Sequence, residues 1–137
     1  MSNHKRFFII DAMAMTFRNF HAFGARPLTT SSRLPVSAIY GSAVFLMKLI
    51  EEERPDFLAI GSDCREPTFR HELYPQYKAN RKEMPEDLAV QLPYLFQLFD
   101  AFGIPTLKTP GVEADDIIGT LVKKFGSQGT ECFIVSG

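Results

Sequence analysis

The sequence has few of the features that mark secreted, membrane-embedded or thiolate-metal proteins. It holds two cysteines in 137 residues, Cys64 and Cys132, and they form no metal-ligand pattern. Reduced thiols in a cytosolic setting are the expectation. Long apolar runs are missing too. Behind the polar, basic start from Met1 to Arg6, the run Phe7 to Ile10 is too short for a signal peptide or a membrane span. Net charge is nearly absent, at −1. Bulk charge therefore argues neither for nor against a nucleic-acid partner, and any such case must rest on local patches. There is no internal repeat and no low-complexity segment.

What remains is the composition of an ordinary globular domain, 45% hydrophobic and 23% charged. A chain of this size is one domain and can bury roughly two thirds of its unfolded surface without staples.

Short apolar runs alternate with helical patterns. Phe7-Phe8-Ile9-Ile10 reads as a strand buried on both faces and closed by Asp11. Asp11 to Phe23 looks helical, and Gly24 to Leu34 is a loop rich in Gly, Pro, Thr and Ser. Pro35 fits the first turn of a second helix, whose apolar face runs to about Glu53 before Pro55 stops it. Phe57 to Ile60 is a second buried strand, ending at Gly61-Ser62-Asp63. A long helix opens at Pro85-Glu86-Asp87, with Pro93 expected to kink it or to remove one hydrogen bond and Gly103 capping it. Ile104 to Leu107, Val112 to Phe125 and Glu131 to Val135 then read as strand, helix and strand. Such alternation means an α/β fold, a parallel-sheet core with right-handed crossovers and helices on both faces. The chain ends at Ser136-Gly137, just past a strand, so the front part of a longer domain is expected.

Parallel sheets bind ligands beyond the carboxyl ends of their strands. Asp11 and Asp63 each follow a buried strand and should share that edge. Glu113-Ala114-Asp115-Asp116 opens a helix; three-residue spacing puts Glu113 and Asp116 on one face and turns Asp115 elsewhere. Clustered like charges either raise a pKa or hold a cation, and oxygen ligands without His or Cys suit Mg²⁺ or Mn²⁺. Each acid alone is as readily a helix cap or a dipole complement. Their joint placement specifies a divalent-metal site, which phosphatases, phosphoryl-transfer enzymes and nucleases share.

Residues 64–84 are polar, basic and aromatic. Arg65, Arg70, His71, Tyr74, Tyr77, Lys78, Arg81 and Lys82 all lie within this stretch. Basic groups neutralise phosphates and aromatics stack on bases; a solvated surface loop would have the same composition. Its position directly after Asp63 hangs positive charge over the carboxylate edge. Arg18, about two turns beyond Asp11, is placed to point the same way.

Several blocks together resemble the 5′ nuclease domain of bacterial DNA polymerase I and, more distantly, flap endonucleases and phage 5′ exonucleases of the PIN-like superfamily. They are Phe8-Ile9-Ile10-Asp11 with Phe17-Arg18, Pro35-Val36 with Tyr40-Gly41, Asp63, and Pro67-Thr68-Phe69-Arg70-His71-Glu72. Tyr77-Lys78-Ala79-Asn80-Arg81, Pro85-Glu86-Asp87-Leu88 and Pro110-Gly111-Val112-Glu113-Ala114-Asp115-Asp116 continue the match over essentially the whole chain.

The resemblance implies two divalent metals, Mg²⁺ or Mn²⁺, in a ring of carboxylates. Asp11, Asp63, Glu113, Asp115 and Asp116 match its first half. It implies a basic clamp at residues 64–84, with Lys78 and Arg81 on the scissile phosphate, Tyr77 stacking on a nucleotide, and Arg18 and Arg70 as further DNA contacts. It implies 5′→3′ exonuclease and flap endonuclease chemistry on nicked or 5′-flapped DNA, in replication and repair. The expected setting is a cytoplasmic, nucleoid-associated monomer without membrane contact, with a polymerase domain following in the parent chain.

Two features depart from the family pattern. Ala12 stands where Gly is usual, and the second acidic motif expected after Val135 is not within residues 1–137. This stretch alone is therefore expected to be a weak or inactive catalyst. A non-catalytic DNA-binding relative and a metal-dependent phosphatase are the rival readings, though a small ester would need no clamp.

Overall fold

The four short runs read as strands form one parallel sheet. The computed structural model describes residues 4–63 and 84–136. Strand β1 (Arg6–Asp11) is followed by helices α1 (Ala12–His21) and α2 (Ser37–Glu53), then β2 (Phe57–Gly61). Helices α3 (Glu86–Ala89) and α4 (Leu92–Ala101) lead to β3 (Thr106–Leu107), α5 (Ala114–Gly126) and β4 (Glu131–Val135). The strand order is β3-β2-β1-β4, and every pairing is parallel. This is the α/β fold that the alternation implied. No helix among the described residues is long and apolar enough to cross a membrane.

Strand β1 lies inside the sheet, which explains its unbroken apolar run: both of its faces are covered. Ile10, Ile60, Met15, Leu46, Leu95 and Phe99 form the larger core under α1, α2 and α4. Phe7, Ile9, Ala59 and Ile118 form the smaller one under α5. Burying a side chain such as Ile9 contributes roughly 1.5–3 kcal/mol. Phe8 stacks on Phe133 of β4 with ring centroids 4.6 Å apart.

Two prolines behave differently from the sequence expectation. Pro35 lies before α2, in a bridge with Thr29, while the Val36 N–H donates to Leu28 O at 2.9 Å. The helix begins only at Ser37, whose hydroxyl accepts from the Leu28 N–H. Pro93 does not kink a long helix. The chain breaks at Val90-Gln91, and Pro93 sits in the first turn of α4, where a missing N–H needs no acceptor. Strand β3 is also shorter than expected, because only Thr106 and Leu107 pair with β2. Helix α2 closes at Arg54 in the left-handed conformation usual for glycine, with φ 46°, and Pro55 follows.

Candidate metal centre

Parallel strands aim all their carboxyl ends at one edge. Asp11 closes β1 opposite Gly61 of β2, and Asp63 lies two residues past Gly61. Both aspartates therefore emerge on that edge, as the strand-end positions required.

Asp11 has extended backbone and serves as the N-cap of α1, its Oδ1 accepting from the Ala14 N–H at 3.2 Å. The cap reading is thus true of it. Its carboxyl is half-buried, and that burial pushes its pKa above the ordinary value. The Ala14 N–H opposes the rise, while the negative charges of Asp115 and Asp63 add to it. The charges of two carboxylates from other parts of the sequence therefore reach Asp11.

Asp63 reaches a helix far along the chain. Its Oδ1 accepts from the backbone N–H of Ala114 at 2.7 Å, so it caps α5 from 51 positions away. Glu113 occupies the N-cap position of α5 in extended backbone, yet its side chain makes no cap bond. Two features let α5 approach this closely. Gly61 has no Cβ; one built there would stand 3.1 Å from Ile118 Cγ1 and 3.7 Å from Ala114 O. Ser62 is buried, its hydroxyl donating to the Asp63 carbonyl.

The acids around α5 differ in burial. Glu113 is the N-cap residue, just outside the helix, and is buried at 6% exposure. Asp115 is the exposed first-turn acid, turned from the buried Glu113, and its charge reaches Asp11. Asp116 is half-buried; its N–H donates to Glu113 O at 3.1 Å, and its carbonyl accepts from the Thr120 hydroxyl.

Arg18 is exposed, with its guanidinium carbon 4.8 Å from the centre of the Phe45 ring on α2. Arg65, Arg70, His71, Tyr74, Tyr77, Lys78, Arg81 and Lys82 lie outside the described residues.

Sequence reasoning passes over Gln91. It is fully buried, and its Oε1 accepts from the N–H groups of Ala38 and Ile39 at the start of α2, while its Nε2 donates to Asp87 O. No local signal separates it from a surface glutamine. In sequence Gly61 reads only as a strand end, because its role depends on α5.

The donor set fits a hard divalent cation in chemistry: oxygen ligands only, and a raised Asp11 pKa that a cation would reverse. Among the described residues, no three acidic, His or Cys side chains close on one point tightly enough to hold an ion as they stand.

Residues 6–137 match the profile of the 5′-3′ exonuclease, N-terminal resolvase-like domain family. The chain belongs to that family. It is 42% identical over 129 residues to DNA polymerase I of Caldicellulosiruptor bescii, covering 94% of this chain and 15% of that protein. It is 39% identical over 132 residues to a 5′-3′ exonuclease of Aquifex aeolicus, covering 96% of this chain and 45% of that one. The chain thus spans less than half the length of these relatives. Among solved structures, T5 5′-exonuclease with bound zinc ions matches with a TM-score of 0.69 at 24% identity, over 96% of this chain and 49% of that chain. A T5 flap endonuclease complex with DNA and metal ions matches with a TM-score of 0.67, also at 24% identity and over 96% of this chain and 48% of that chain. These solved structures share the parallel sheet flanked by helices.

Proposed function

We propose that the protein carrying this chain hydrolyses DNA phosphodiesters as a 5′→3′ exonuclease and flap endonuclease dependent on divalent cations. The observation that carries the reading is the approach of Asp63 and Asp115 to Asp11 at the carboxyl edge, in a member of this nuclease family. In this reading Asp11, Asp63 and Asp115 would hold Mg²⁺ or Mn²⁺, with Glu113 and Asp116 beside them. Bound cations would supply an activated water and stabilisation of the leaving oxygen.

The chain's own residues do the rest. Asp11 and Asp63 hold helices α1 and α5 at the reacting edge, which sets where an attacking group and a phosphate can lie. Lys78 and Arg81 neutralise charge developing on the phosphate, Tyr77 stacks on a base beside it, and Arg18 and Arg70 add contacts to the strand. The substrate is DNA with a 5′ flap or a nick, and the products carry 5′ phosphates. The proposed setting is a monomer acting in replication and repair in the cytoplasm, beside a polymerase domain; only the polymerase domain draws support from the name of the DNA polymerase I relatives.

The test is cleavage of an end-labelled 5′-flap duplex by the protein that carries this chain, with Mg²⁺, with Mn²⁺ and with EDTA. Asp11→Asn should reduce cleavage by at least roughly a hundredfold, since a metal site supplies several kcal/mol of transition-state stabilisation. Undiminished cleavage in EDTA, or by Asp11→Asn, would overturn the reading.

A further inference from the structure

Asp63 and Ala114 come from different acidic motifs, and one hydrogen bond of 2.7 Å joins them. That distance is in the range of a charge-assisted bond from an amide to a carboxylate. The bond takes the place that the N-cap residue of α5 leaves open, because the Glu113 side chain makes no cap bond. A capping carboxylate also lies at the positive end of the helix dipole, which offsets repulsion among acids gathered there. Gly61 and buried Ser62 bring the Asp63 backbone to this position, and Asp115 follows the bonded amide by one residue.

We propose that Asp63 is a positioning residue as well as a cation ligand: its Oδ1 holds the start of α5, and that bond sets Asp115 opposite Asp11. The cation half of this statement rests on the function proposed above; the positioning half does not. One oxygen of Asp63 is committed to the helix and the other serves the cation. Loss of the bond to α5 should therefore weaken cation binding even where the negative charge of Asp63 is kept.

Three variants of the protein carrying this chain separate the roles. Asp63→Asn keeps an acceptor for the Ala114 N–H and loses the charge. Asp63→Ala loses both. Ala114→Pro keeps the charge and removes the donor, at the first helical position, where proline is tolerated. Hydrogen exchange of the Ala114 amide is measured in EDTA, and the Mn²⁺ concentration giving half of the cation-induced rise in melting temperature is measured separately.

In Asp63→Ala, exchange at Ala114 should rise roughly fivefold, equivalent to about 1 kcal/mol, the usual worth of a cap. In Asp63→Asn it should stay within about twofold of the parent, since asparagine caps as well as aspartate. The Mn²⁺ midpoint should rise at least roughly tenfold in Asp63→Asn, further in Asp63→Ala, and clearly in Ala114→Pro, the scale on which supporting contacts tune metal sites. Equal exchange in Asp63→Ala and Asp63→Asn, or parent-like Mn²⁺ binding by Ala114→Pro, would overturn the positioning role. A parent protein without any Mn²⁺ response would overturn the proposed function instead, while the exchange comparison in EDTA would still decide the cap. Should Asp63→Ala not fold, Ala114→Pro against Asp63→Asn decides alone.

Discussion

The Oε1 of Gln91, with no exposure to solvent, accepts a hydrogen bond of 2.8 Å from the backbone N–H of Ala38, 53 positions earlier. The same oxygen accepts from Ile39, and the Gln91 amide donates to Asp87 O, so one side chain ties the start of α2 to α3. Val36, the N-cap residue of α2, makes no side-chain cap bond of its own. Gln91→Leu, nearly matched in volume, leaves two helix-start N–H groups and one carbonyl without this partner. The expected loss is about 2–4 kcal/mol in urea unfolding, since buried unsatisfied groups cost about 1–3 kcal/mol each and part of this is recovered by relaxation. A loss below about 0.5 kcal/mol, the size of an ordinary surface change, would show that the cap is dispensable.

Asp11→Asn should stabilise the cation-free protein. Burial and the charges of Asp115 and Asp63 raise the Asp11 pKa, so folding disfavours its ionised form. The stability linked to this group is fully present below the unfolded carboxylate pKa and is lost as pH rises through the raised folded value. Asparagine keeps the cap on α1 and carries no charge to lose. In EDTA near pH 7 the variant should melt above the parent, and the gap should close below about pH 4. Equal melting temperatures across this whole range would mean that the three aspartates do not repel. With Mn²⁺ the order should reverse, because only the parent keeps the full carboxylate set.

Gly61→Ala should cost about 1–2 kcal/mol, as mild overpacking does. The new methyl would meet Ile118 Cγ1 at 3.1 Å, inside the buried face of α5. Since α5 also holds Asp115, the variant should bind Mn²⁺ more weakly as well as melt lower. Parent-like stability in thermal melts would show that α5 can shift freely, which the close β2–α5 approach speaks against.

Lys78→Ala and Arg81→Ala each remove one cation expected to neutralise a phosphate. Binding of a 5′-flap duplex should weaken, and the slope of log affinity against log salt should become shallower by about 0.7–0.9 for each phosphate left without its cation. Slopes equal to the parent's in both variants would take these two residues off the phosphate backbone.

Much of the site was legible because strand ends are legible. Phe7 to Ile10 and Phe57 to Ile60 are apolar on consecutive positions, as strands of a covered parallel sheet are, although Phe57 itself is exposed, and residue order then assigns Asp11 and Asp63 to one edge. Strand β4 has the bounds that its apolar run implies, Glu131–Val135. Helix starts were less legible. Pro35 and Pro93 satisfy more than one backbone role, and whether each lies before, within or between helices depends on what accepts and donates around it.

By itself the sequence determined the order of strands and helices, the parallel sheet, and the family blocks that carry the candidate acids and bases. Those properties follow from residue type and spacing along the chain, where side-chain period and turn chemistry act locally. Only the tertiary structure decided that Asp63 caps α5, that Gln91 caps α2, and that the charge of Asp115 presses on Asp11. These interactions join residues about fifty positions apart or more, and a hydrogen bond or a Coulomb interaction depends on distance in space, which the folded path of the chain sets.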